Sequence, residues 1–151
     1  MIIFQEDIII TTICRFLIPF IQLFGLYVIA HGHGSPGGGF QGGCILAASF
    51  VLILIAFDLA EAKKRFSEKL NNFFTSFGVM IYTMTGWTCL LLGGNYLDYG
   101  RLSIILPVDP VRARYYGVFA VEVGVGITVM AVMVSIFLDL ITGGKHEEAS
   151  E

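Results

Sequence analysis

Charge is what this sequence has least of. Charged residues make up 14% of the 151 positions and hydrophobic residues 56%, with a mean hydropathy of +0.79. A soluble domain carries about a quarter charged residues, so the apolar excess here must face something other than water, and lipid is the candidate. The net charge of −3 with no basic stripe excludes a nucleic-acid partner. Cysteine is sparse too: Cys14, Cys44 and Cys89 stand singly. No CxxC pair exists, which excludes an iron–sulfur or zinc site by spacing and leaves them as small apolar packing residues. The N-terminus lacks a basic n-region and a small-residue cleavage motif, so the first apolar run is expected to stay in the mature chain. No nucleophile–base set is visible, so no enzymatic activity and no cofactor are expected.

What is present is four apolar runs, each near the roughly 20 residues that cross a hydrocarbon core. They predict an all-α fold, an integral membrane bundle of four transmembrane helices forming one domain over 1–151, with spans at about 8–30, 43–57, 73–94 and 115–138. Between the second and third spans lies a charged linker that includes Lys63, Lys64, Arg65 and Lys69, and the tail adds Lys145. The glycine-rich first loop has no lysine or arginine, and the loop before the fourth span has Arg101, Arg112 and Arg114. The positive-inside rule then predicts a multi-pass protein of the cell membrane with both termini cytoplasmic. Small residues recur at four-residue spacing (Ala120, Gly124, Thr128; Gly43, Ala47), and Gly78 and Gly86 lie two turns apart. Such spacing favours close helix approach, either within the chain or against a neighbouring subunit.

The strongest local signal is His31 through Gly43, which reads HGHGSPGGGFQGG. So much glycine predicts a non-helical turn, re-entrant or interfacial. At membrane depth such backbone must be covered by protein or line water. No Lys-Ser/Thr follows and no strand precedes, so a phosphate-binding loop is excluded. His31 and His33, two residues apart with no acid or thiol nearby in sequence, do not encode a metal site. His31, His33, Pro36, Gly37, Gly38, Gly39, Phe40, Gly42 and Gly43 are therefore assigned to loop structure.

Two ionisable residues lie inside spans, Arg15 and Glu122, and such residues are functional suspects by default. Arg15 is 16 residues from His31, about 24 Å at helical rise, which puts it near the cytoplasmic end, where a long side chain can snorkel. Glu122 lies about 10 Å below the opposite surface if its span starts at Tyr115. The two are too far apart in depth, by about 14 Å, to pair. Counting equal depths on each span places Phe24, Ser49 and Trp87 at Glu122's level, with Gln22, Tyr27, Thr85 and Thr88 within one turn. Glu122, Ser49 and Thr88 are thus the candidates for a proton or ion route. The competing reading is an acid satisfied locally with no transport role.

The run from Arg15 to Gly43, with its core GHGSPGGGFQGG from Gly32, resembles the MnhB/MrpB family, a small membrane component of Mrp-type sodium/proton antiporters. The resemblance extends to Gly94-Asn95 with Gly100 and to Glu122-Val-Gly-Val-Gly126, and so covers nearly the whole chain. It implies a small, non-catalytic partner of other Mrp-type membrane subunits, with ion transport credited to larger complex I-like subunits. The same module is also found in membrane-bound hydrogenases and related ferredoxin-linked respiratory complexes, which makes hydrogenase subunits alternative partners. A self-contained homo-oligomeric channel is a further alternative, but it calls for internal repeats or paired interrupted helices, and the sequence has one interrupted region and no repeat.

Overall fold

The computed structural model describes residues 8–32, 34, 37–57 and 67–143. Those residues form four long helices: α1 (Ile8–Ala30), α2 (Gly39–Ala56), α3 (Glu68–Leu91) and α4 (Pro110–Thr142). A short 3-10 helix, η1 (Tyr99–Ile104), bridges α3 and α4. All four are long and apolar enough to cross a membrane, as the four apolar runs predict. Residues 58–66 of the charged linker and the tail from 144 onward lie outside the described residues, while Glu68 and Lys69 belong to α3.

Three of the four helices differ in their bounds from the sequence reading. The glycine segment is helical from Gly39 onward, so Gly39, Phe40, Gln41, Gly42 and Gly43 belong to α2 and not to the loop. Glycine costs about 1 kcal/mol per helical position, and close packing against α4 offsets it, because no Cβ stands between the two backbones. The third helix begins at Glu68 and ends at Leu91, earlier at both ends than expected. The fourth is 33 residues long and starts at Pro110, behind Asp109 at the N-cap position. Proline there costs nothing, since the first helical N–H has no partner within the helix. The helix stops at Gly143, whose φ of 64° is the left-handed conformation of a helix C-terminus.

α4 is the centre of the bundle. It packs on α3 and η1 along one face and on α2 along another, while α1 lies mainly against α2. Gly39 of α2 meets Glu122 and Gly43 meets Gly126, so these two helices run in the same direction with a shared four-residue step. α3 runs opposite to α4: Gly78 sits on the Gly124 carbonyl and Thr128, and the buried Asn71 donates from Nδ2 to Ala131 O (2.9 Å) and Ser135 Oγ (2.7 Å). The Gly124–Thr128 groove is thus filled by this chain's own α3. The apolar core lies between α2 and α4, built from Leu46, Ala47, Leu54, Met130, Val134 and Leu138, with Ile29 reaching in from α1. Much of the outward surface is large and apolar, including Phe16, Phe20 and Leu23 on α1 and Met80, Met84 and Trp87 on α3.

Candidate functional site

The two features that stand out in the sequence meet in the structure. Glu122, on α4, lies against the glycine loop at the point where α2 begins. A Cβ placed on Gly32 would stand 2.8 Å from Glu122 Oε1 and 2.5 Å from Gly38 Cα. One placed on Gly38 would stand 3.4 Å from the same oxygen, and Gly38 has a φ of 155°, which side chains seldom adopt. One on Gly39 would run into the Glu122 carbonyl oxygen, with its carbonyl carbon and Cα at 2.9 and 3.0 Å. The acid is therefore enclosed by backbone on this side. Gly38 is the N-cap of α2 and supplies no side-chain bond there. The N–H groups of that first turn have no acceptor within their own helix.

The loop residues divide between described and undescribed. His33 and Pro36 lie outside the described residues. The exposed ring of His31 stacks on Tyr27 at 4.2 Å, and its Nδ1 is 3.1 Å from the Tyr27 carbonyl oxygen. Phe40 is exposed, while Gly42 and Gly43 are buried in the helix contacts with α1 and α4.

Ser49 and Thr88 are not beside Glu122. Ser49 is ten residues along α2 from Gly39, about 15 Å, and its buried hydroxyl donates to Leu46 O at 2.6 Å. Thr88 donates to Met84 O at 2.7 Å and borders an open groove of about 720 Å³ on the outer face of α3. With Gly78 opposite Gly124, the residue of α3 level with Glu122 lies near Met80, and Trp87 and Thr88 are about two turns beyond it. Phe24 is likewise about two turns from Gly32 along α1. Equal-depth counting fails because the turns are not at equal heights. The α1–α2 turn is level with Glu122, twelve residues or about 18 Å below the start of α4. A matching step in the sequence, Gly39/Gly43 beside Glu122/Gly126, was the available signal for this juxtaposition.

Arg15 is at the opposite end, its guanidinium over the Phe57 ring at 5.5 Å, so it does not pair with Glu122. Above Glu122, η1 caps α3 and α4. Tyr96 packs on Gly86 and Tyr99 on Gly117, where no side chain intervenes. Arg101 lies 3.8 Å from Asp98. Desolvation, followed by the neighbouring Tyr82, pushes the Tyr99 and Tyr96 phenols above their ordinary value of 10.0.

Comparison with known proteins gives a consistent picture. The family described as "Domain related to MnhB subunit of Na+/H+ antiporter" matches residues 9–135, a stretch running from α1 into the last third of α4. The chain is 30% identical over 142 residues to a Staphylococcus haemolyticus protein bearing the antiporter-subunit name mnhB2, covering 93% of this chain and 98% of that one. It is 29% identical over 132 residues to a protein of Alkalihalophilus pseudofirmus that is named as a Na(+)/H(+) antiporter subunit of the B type, covering 83% and 91%.

Proposed function

Because the chain belongs to the MnhB family of Na+/H+ antiporter subunits, we propose that it is a non-catalytic, multi-pass membrane subunit of an Mrp-type sodium/proton antiporter. The observation that carries this reading is the extent of the match, which includes the α1–α2 turn, Glu122 and most of α4. A chain of four helices with so much outward apolar surface also suits a place among lipid and other membrane subunits. Its contribution is to support assembly and ion translocation by the larger machine.

The test is to isolate the native chain by an affinity tag in mild detergent and identify what accompanies it. Other Mrp-type antiporter subunits are expected in fixed ratio. A transport-active monomer or homo-oligomer would overturn the subunit reading. Co-isolation of hydrogenase subunits would assign the chain to a respiratory complex in place of a stand-alone antiporter.

A further inference from the structure

We infer that the step above the α1–α2 turn is a docking site for a membrane-embedded segment of another antiporter subunit; this rests on the antiporter-subunit reading above. The step arises from unequal heights. The hairpin of α1 and α2 ends beside Glu122, where Gly32, Gly38 and Gly39 meet that residue, while α4 runs on for twelve residues to Pro110. The stripe of α4 that receives α2 does not stop where α2 does. Seven residues are close to two helical turns, so Tyr115 lies above Glu122 and Phe119 above Gly126, with Val111 one turn beyond Tyr115. Gly39 and Gly43 cover the lower part of this stripe. Above them Phe119 is half-buried, Tyr115 is 44% exposed and Val111 is 76% exposed. The 3-10 helix η1 leaves the stripe open, because it packs on Gly117, on a different side of α4. The floor is equally open. Gly34 is exposed, with nothing within 4 Å of a Cβ placed on it, and Phe40 at the start of α2 is 60% exposed.

Depth decides what fills the step. Arg112 and Arg114, both exposed, mark the headgroup level of α4. Glu122 is eight residues below Arg114, about 12 Å. The turn beside it therefore lies inside the hydrocarbon layer, whose full thickness is about 30 Å. Gly38 there stands outside α2 as its N-cap, with a φ of 155°. Non-helical backbone at such depth cannot face lipid; it is covered by protein or lines water. A wall of Phe119, Tyr115 and Val111 over Phe40 lines water poorly and suits a protein contact. That wall also continues a helix-packing surface already in use lower down, between α2 and α4. The partner that fits is a helix end or a re-entrant segment. Its side toward α4 is apolar, and its tip carries hydrogen-bonding groups for the main chain of the turn.

The experiment uses the intact complex in its native membrane. A photo-crosslinking phenylalanine derivative replaces Gly34 or, separately, Tyr115, and the product is identified by mass. Capture of a co-isolating antiporter subunit is expected. Capture of lipid alone, of a second copy of this chain, or of nothing overturns the proposal. The open space at Gly34 lets Gly34→Trp fill the step from within. That variant is expected to stay in the membrane at its usual level while the yield of assembled complex falls about tenfold. Gly34→Ala is expected to keep the yield. Unchanged assembly in Gly34→Trp overturns the proposal, and if that variant is lost from the membrane the Tyr115 cross-link decides alone. If the wild-type chain is isolated without antiporter subunits, the subunit reading has failed. The same cross-links then decide whether the step holds a subunit of the complex that does contain the chain.

Discussion

At the scale of single residues, the glycines of the first loop are not equivalent. A Cβ on Gly39 would collide with the backbone of Glu122, which has no flexible end to move aside, so α2 and α4 would have to part. A Cβ on Gly34 would meet nothing within 4 Å. Gly39→Ala is therefore expected to destabilise the bundle by about 1–3 kcal/mol, and Gly34→Ala to stay within about 0.5 kcal/mol. Thermal unfolding of the two variants in detergent, with yield of assembled complex, checks this; equal behaviour would remove the close-approach argument. The sequence marks this run as a place where glycine matters, but it does not rank the glycines. The ranking depends on which of them lies under the backbone of α4, and that is set by packing between segments distant in the chain. The same holds for Glu122. Its presence in a span is legible from the residue alone, while its neighbours Gly32, Gly38 and Gly39 are not, because the relative height of two hairpins leaves no mark in residue counts.

At the scale of helices, the seam between α3 and α4 combines one glycine contact and one polar clamp. Gly78 lies against Thr128 and the Gly124 carbonyl, and Asn71, two turns away on the same face, bonds Ala131 and Ser135. Interhelical hydrogen bonds in membranes contribute about 0.6–1.7 kcal/mol. Asn71→Ala is expected to lower stability by about that much without separating the helices. Gly78→Leu must force them apart, so it is expected to cost more and to abolish packing of the η1 cap. Thermal unfolding in detergent and yield of assembled complex test this, with a modest loss in Asn71→Ala and a larger one in Gly78→Leu; equal losses would remove the argument. Helix existence was legible from apolar runs of membrane length. The start of α4 was legible too, in Asp109-Pro110, a good helix opening, yet the apolar run alone points to Tyr115. The start of α2 was not, because helical glycine is disfavoured by intrinsic propensity and is accepted here only through contact with α1 and α4.

At the scale of the whole molecule, the bundle sorts its cations between two ends. Arg15 lies at the end of α1 that meets Phe57, the end from which the linker between α2 and α3 leaves. Arg15 and Lys69 lie at that end, and the sequence between α2 and α3 holds Lys63, Lys64 and Arg65, against Arg101, Arg112 and Arg114 at the other end. One of those three, Arg101, also lies near Asp98. Arginine and lysine near span ends favour the cytoplasmic side, so the glycine loop and the η1 cap are expected to face outward and both termini inward. Single cysteines at Ser67 and Ile105, in a chain with Cys14, Cys44 and Cys89 replaced by alanine, report the two ends, since both positions are exposed. A thiol reagent that does not cross membranes should label Ile105→Cys on intact cells, and Ser67→Cys only after the membrane is opened. The reverse pattern would invert the molecule and place Glu122 and the glycine loop toward the cytoplasmic side.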